Sequence, residues 1–246
     1  MEVKMELGQL LKQVLPVCGC LFALANPAMA EPMADAANAY RAGNYATAIK
    51  LLIPQAKHGD ARAQSALGQM FYDGKGVPRD YKKAAKWFLL AAARGDVLAQ
   101  YALGTMYQDG EGVPRDYKEA VKWYLSAAEQ GDASAQSELG RMYKDGHDVP
   151  QNYPEAAKWC HLAALQGRTG AQIELAEMYW FGEGVPRDYV RANMWLIIAA
   201  DQITGSDRQH KIAEIRANET RAMTPGQIAE AQELARKCMA DKFKGC

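Results

Sequence analysis

Residues 101–117 read Tyr101-Ala102-Leu103-Gly104-Thr105-Met106-Tyr107-Gln108-Asp109-Gly110-Glu111-Gly112-Val113-Pro114-Arg115-Asp116-Tyr117. A run with apolar residues at helical spacing stops at Gly110-Glu111-Gly112, where glycine tolerates the left-handed backbone that turns a chain out of a helix. Val113-Pro114 then forces an extended step, because the residue before proline avoids the helical region. Asp116 opens a second helix and stands three residues before Glu119, which is capping-box spacing with an Asx cap. The stretch is therefore the elbow of a helical hairpin.

The same elbow recurs every 36 residues. Four blocks align without gaps at 61–96, 97–132, 133–168 and 169–204. Gln falls at 64, 100, 136 and 172, Leu at 67, 103, 139 and 175, and Met at 70, 106, 142 and 178. Val-Pro begins at 77, 113, 149 and 185, and Trp stands at 87, 123, 159 and 195. A fixed period of this length marks an array of stacked units. In block one Ala63, Leu67, Met70 and Phe71 share a helical stripe, and Ala84, Trp87 and Ala91 line the inner side of the second helix. Asp60, Asp96 and Asp132 precede the first helices as caps. A single hairpin of this size cannot bury both its apolar sides, so the core must run from unit to unit, and about three units are needed for stability.

The ends differ from the blocks. Residues 31–60 form a shorter capping hairpin that turns at Gly43-Asn44 and resembles a tetratricopeptide unit. Past residue 204 the period fails. Residues 205–246 read as two further helices, the second opened by Thr224-Pro225-Gly226-Gln227 with a capping-box pair and Pro at the first helical position. The expectation is two, eight and two helices from cap, repeats and cap.

The pattern Ala-x-Ala-Gln-x-x-Leu-Gly-x-Met-Tyr-x-x-Gly-x-Gly-Val-Pro-x-Asp-Tyr, followed by Ala-x-x-Trp-x-x-x-Ala-Ala and Gly-Asp, resembles the SEL-one-like repeat family. Residues 101–117 with Trp123, Ala127, Ala128, Gly131 and Asp132 are nearly an ideal copy, and the closing Met223-Thr224-Pro225 helix resembles the tail of many bacterial members. Departures are Asp148 for a turn glycine, Gln151-Asn152 for Arg-Asp, Ala176 for the helix glycine and Arg168 for the closing Asp. The resemblance implies an all-α fold, a right-handed α-solenoid of stacked helical hairpins, whose usual work is binding other proteins. It implies a protein or peptide partner, no cofactor, and for bacterial members a role in the envelope such as regulating a sensor or polysaccharide system. The alternative it carries is weak binding or hydrolysis of β-lactams or cell-wall peptides. That branch has paired cysteines in each repeat, and this chain has none.

Composition sets outer limits. The 246 residues carry 29 Lys+Arg against 29 Asp+Glu, so no net charge draws the chain to nucleic acid or to an anionic membrane. Lys4 and Lys12, an apolar stretch from Val14 to Ala25, and Ala28-Met29-Ala30 describe a secretory signal peptide cleaved after Ala30. The apolar run holds Pro16 and is short for a span of roughly 30 Å, so stable membrane insertion is not expected after cleavage. A lipobox ending at Cys20 is the weaker alternative, since the apolar core would then lie on the wrong side of the modified cysteine. The reading places the mature chain in the periplasm. There Cys238 and Cys246, eight residues apart, are placed to pair and pin the C-terminal tail, while Cys160 reads as a buried small hydrophobe.

Catalytic patterns are missing. His58 lies in the first cap, His147 and His161 fourteen residues apart in block three and His210 past the repeats, without metal-ligand spacing. No Gly-x-Ser-x-Gly elbow or Ser-x-x-Lys pair is present. The turn glycines follow helices rather than strands and lack the Lys-Ser/Thr of a phosphate loop. No catalytic or metal-ligating residue is assigned.

Repeat geometry places the first helix of each unit on the concave side, with the outward positions three or four residues apart. These are Arg62, Ser65, Gln69 and Tyr72 in block one, and Leu98, Tyr101, Thr105 and Gln108 in block two. Block three offers Ser134, Ser137, Arg141 and Lys144, and block four Ile173, Glu177 and Trp180. Tyr72, Leu98, Tyr101 and Ile173 suggest interface anchors, the alternative being that they pack against the neighbouring repeat or the C-terminal cap. Trp180 is expected to pack against the C-terminal cap; for Arg141 and Lys144 a solvated face is the default, and a carboxylate on a partner is the alternative.

Overall fold

The computed structural model describes residues 27–146, 149–203 and 205–246. Most of the expected leader, together with His147 and Asp148, lies outside the described residues, as does the side chain of His210. Twelve helices and no strand occur among the described residues. The cap contributes α1 (Pro27–Arg41) and α2 (Tyr45–Lys57). The four repeats follow as α3 (Ala61–Asp73) with α4 (Tyr81–Ala92), α5 (Val97–Asp109) with α6 (Tyr117–Glu129), α7 (Ala133–Asp145) with α8 (Tyr153–Leu165), and α9 (Thr169–Phe181) with α10 (Tyr189–Gln202). The chain closes with α11 (Ser206–Thr220) and α12 (Pro225–Ala240). The first helix begins at Pro27, ahead of the expected junction after Ala30.

Local chemistry fixes each boundary. Asp60, Asp96 and Asp132 accept hydrogen bonds from the amides of Ala63, Ala99 and Ala135 at 2.9, 2.8 and 2.7 Å, satisfying donors that have no partner inside the helix. Arg168 stands where the fourth Asp would be, and α9 has no side-chain cap. The first helices of all four repeats end on a left-handed glycine, with φ of 76° at Gly110. Each elbow is then clasped by one backbone bond, as when the Asp116 amide donates to the Tyr107 carbonyl at 2.9 Å. The Asn152 amide makes the same bond to Tyr143 at 2.8 Å, so the altered turn of block three keeps its clasp. Thr224 and Gln227 form a complete capping box at the start of α12.

Packing follows the units rather than filling a central ball. Each second helix packs against the first helix of the next unit: α2 on α3, α4 on α5, α6 on α7 and α8 on α9. One seam joins Ala84, Phe88 and Ala91 of α4 to Ala99, Leu103 and Met106 of α5, all buried. Burying a side chain such as Leu103 there is worth about 1.5–3 kcal/mol relative to leaving it in water. First helices also approach one another, α3 with α5, α5 with α7 and α7 with α9, and so form the inner row of the solenoid. The last seam is sealed by α12 against α10. There Cys238 and Cys246 are joined as a disulfide with their Cα atoms 5.5 Å apart, and Phe243 of the returning tail packs on the terminal core. The methionines at 70, 106, 142 and 178 are core, whereas Phe71, Trp87 and Trp123 are only partly buried.

Two periodic residue types adjust the seams. The helix glycines lie against the second helix of their own unit: a Cβ on Gly68 would meet Phe88 Cδ1 at 2.7 Å, and one on Gly104 would meet Tyr124 Cδ1 at 2.5 Å. In block four Ala176 replaces the glycine, and Leu196 stands at the position of those rings. The glutamines bind the seams: the side-chain amides of Gln64, Gln100, Gln136 and Gln172 donate to the carbonyls of Ala56, Ala92, Ala128 and Ala164 at 2.9–3.3 Å. These acceptors lie in last turns, where helices leave carbonyls without intrahelical partners. Gln130 and Gln166 extend the pattern by donating to Gln100 and Gln136 at 2.7 and 2.8 Å. Arg94 occupies the corresponding place beside Gln64, whose buried Oε1 has no partner.

Gly104→Ala is expected to cost about 1–3 kcal/mol by overpacking. Pairing it with Tyr124→Leu, which copies the Ala176 and Leu196 arrangement of block four, should make the two changes less than additive in a denaturant double-mutant cycle. Arg94→Gln should supply the missing donor to Gln64 and raise stability by about 0.5–1.5 kcal/mol, read as an upward shift in Tm.

Candidate functional site

The inner row is not uniform along its length. Between α1, α3 and α5 it opens into a groove with a cavity volume of about 850 Å³, within the range of sites that hold ligands. Arg62, Gln69 and Tyr72 of α3 line it, with Leu98, Tyr101 and Thr105 of α5. Ser65 also reaches the groove, but it is only 8% exposed and so is not the outward residue expected. Seven of the fifteen concave positions named from the sequence thus meet in one place. The sequence reading missed the other wall, where α1 supplies Met33, Ala36, Ala37, Tyr40 and Arg41. It also missed Ala66 and Ala102, whose short side chains leave the space open. The signal for the α1 wall was available, since the first helix of the capping hairpin occupies the same inner row.

Hydrogen bonds hold the polar rim in place. The Tyr72 hydroxyl donates to Glu111 Oε2 of the next unit at 2.6 Å. Burial, then this contact with Glu111, pushes the phenol well above its ordinary range. The Tyr72 ring also lies 5.1 Å from that of Tyr81. Lys75 donates to the Tyr40 hydroxyl at 2.7 Å and approaches Asp73 at 3.2 Å. The Tyr101 ring leans on Tyr124 at 5.7 Å, and Tyr124 donates to Gln108 at 3.0 Å. The hydroxyls of Tyr40, Tyr72 and Tyr124 are thus already committed to hydrogen bonds.

Beyond α5 the inner row changes character. Positions equivalent to Ala66 and Ala102 become Glu138 and Glu174. Arg141 binds Glu138 at 2.9 Å and Asp145 at 3.4 Å, and Lys144 binds Glu177 at 2.6 Å. The reading in which Arg141 and Lys144 await a partner's carboxylate is corrected: their own chain neutralises both. Gln108 and Arg141 line a smaller cavity of about 300 Å³ with Asp109, Arg115 and Asp145. Ser134, Ser137 and Ile173 are half-buried and reach neither cavity. Trp180 rests on Tyr189 of its own repeat with ring centroids 4.5 Å apart, instead of finding its ring partner in the C-terminal cap.

Titratable groups in this half are structural. Cys160 is buried. Burial and the neighbouring Glu174 carboxylate, 3.7 Å away, drive its thiol far above the reactive range. Burial lowers His161, whose ring stands edge-on to Trp195. Among the described residues no group of His, Cys, Asp and Glu has the arrangement to hold a metal ion. Glu219 of α11 is 8% exposed with Oε2 unpartnered. Burial, with Glu177 nearby, pushes its carboxyl up to about 7.

The repeat is Sel1, matched at residues 61–96, 97–132, 133–167 and 169–202. The chain belongs to the Sel1 repeat family. Solved structures share its fold. A protective antigen of uropathogenic Escherichia coli strains, with an SLR fold, is 35% identical over 81% of this chain at a TM-score of 0.68. This chain spans 42% of that antigen's length. A Sel1 repeat protein from Oxalobacter formigenes is 28% identical, covering 84% of this chain and 82% of its own, at a TM-score of 0.70. Comparison with curated proteins finds no match. Sel1 repeat proteins are in general scaffolds for protein interaction, and no helix among the described residues is long and apolar enough to cross a membrane.

Glu219 gives the C-terminal cap a pH dependence. Its folded-state pKa of about 7 lies above the ordinary 4.5 of a glutamate, so the native state keeps a proton that the unfolded chain releases. The stabilisation is full below about 4.5 and is lost as pH rises to about 7. Melting curves from pH 4.5 to 7.5 should show wild-type Tm falling relative to that of Glu219→Gln, whose side chain stays neutral throughout.

Proposed function

We propose that this chain is a non-catalytic scaffold of the bacterial cell envelope that holds a segment of another protein in the groove between α1, α3 and α5. The observation that carries the reading is the groove itself: an apolar, partly roofless channel whose walls are prefolded helices. Leu98 at its edge is 69% exposed, and Tyr72 and Tyr101 present ring faces whose orientation is fixed by Glu111 and Tyr124. A surface already in its bound shape loses little freedom on binding, so more of the contact energy appears as affinity. Tyrosine and exposed leucine around such a site are suited to act as anchors.

The envelope location is supported by the leader-like segment before residue 31 and by the pairing of Cys238 with Cys246, since disulfides persist in oxidising compartments. A regulator of an envelope sensor or polysaccharide system is the finer form of the proposal, and it rests on the family.

A photo-crosslinking residue placed at Gln69, which is exposed in the groove, should yield protein adducts in intact cells. The same group at exposed Lys86 on α4 should yield none. Leu98→Asp should weaken the adduct at least about tenfold, equivalent to about 1.4 kcal/mol, without changing helix content or Tm. Adducts from Lys86 alone, or indifference to Leu98→Asp, would overturn the reading.

A further inference from the structure

The groove is apolar on its floor but carries two guanidinium groups on its walls. Arg41, near the end of α1, donates to Asn38 Oδ1 at 2.7 Å and to the Ala37 carbonyl at 3.4 Å. Both acceptors are neutral. The Arg62 side chain is 71% exposed and stands 3.8 Å from Asp60 Oδ2, while the other oxygen of Asp60 is committed to capping α3 at Ala63. The groove's own carboxylate, Asp96, uses one of its oxygens to cap α5. Farther along the row the corresponding charge is cancelled, because Glu138, Asp145 and Glu177 bind Arg141 and Lys144. Arg41 and Arg62 thus put positive charge beside the part of the concave face that is also open and apolar, Arg41 with neutral acceptors only and Arg62 in a long contact with Asp60.

We infer that the groove recognises an extended peptide segment of a partner protein in which a bulky apolar side chain is flanked by acidic residues. The apolar side chain sits over Ala66 and Ala102 against Leu98. The acidic groups meet Arg41 and Arg62, each able to bind a carboxylate with two parallel N–H donors. The inference rests on the scaffold reading above and specifies its ligand. Because the arginines lie at the rim, their contribution is to selectivity and to the rate of encounter, and it weakens with salt.

The test is selection from a phage-displayed library of random 12-residue peptides on the purified full chain, followed by fluorescence polarisation of the synthetic winners. Enriched peptides should combine an aromatic or aliphatic residue with Asp or Glu. Their affinity should fall about tenfold in the double variant Arg41→Glu/Arg62→Glu, and below detection in Leu98→Asp, with thermal melting unchanged in both. Panning the double variant should return peptides enriched in Lys and Arg instead. Peptides lost on Leu98→Asp but with no acidic excess, or acidic peptides indifferent to the double charge reversal, would overturn the inference and leave the scaffold intact. Peptides that ignore Leu98→Asp, or no enrichment at all, would overturn both.

Discussion

The seam between the second helix of one unit and the first helix of the next is where the hydrophobic effect acts in this protein. Phe88 and Ala91 share one buried cluster with Leu103 and Met106 of the next unit. The same arrangement recurs where Ala120, Tyr124 and Ala127 meet Ala135, Leu139 and Met142. Stability in such an array is a sum of unit and interface terms, so an end must be finished by something other than another repeat. At the start the short hairpin of α1 and α2 does this. At the far end α12 seals α10, with the tail bent back and held through Cys238 and Cys246.

Close approach at these seams has consequences for polar groups. Alanine brings helix backbones together, and last-turn carbonyls then become buried beside a neighbouring unit. The glutamine at the head of each first helix supplies the donor they need, across the seam at 2.9–3.3 Å. One side chain thus contributes to register as well as to hydrogen-bond satisfaction, since slipping one unit against the next would strand both the carbonyl and the amide. The unpartnered Oε1 of Gln64 marks the edge of this system, at the junction between cap and repeats.

The fold was legible in the sequence because core positions recur: Leu67, Leu103, Leu139 and Leu175 are nearly fully buried, and the caps at Asp60, Asp96 and Asp132 are made as their spacing implies. The site was legible in part. Outward positions of α3 and α5 follow from helical spacing, but a groove consists of what is missing, and Ala66 and Ala102 look like ordinary small residues until their neighbours are in place. Ser65 and Tyr101 share a register position, yet the serine is buried and the tyrosine half-exposed. The tie between Lys144 and Glu177 crosses 33 residues, a separation that local spacing does not expose. Arg141, by contrast, lies three residues from Glu138 and four from Asp145, so its self-neutralisation could have been anticipated from the helix period.

That difference between the two ends of the inner row follows from the way the repeat is built. Core positions are held constant because each seam depends on them, which leaves the inner row free to vary. In the first two repeats the variation shortens side chains at 66 and 102 and leaves Leu98 in water. In the last two it inserts glutamates at 138 and 174 beside basic residues that they or their neighbours neutralise. A concave face that was apolar throughout would be an exposed patch prone to self-association. Ion pairs over the C-terminal half satisfy that surface internally, which leaves the open apolar channel to the first two repeats and the cap. On the proposed reading, specificity comes as much from what the last two repeats cover as from what the first two expose.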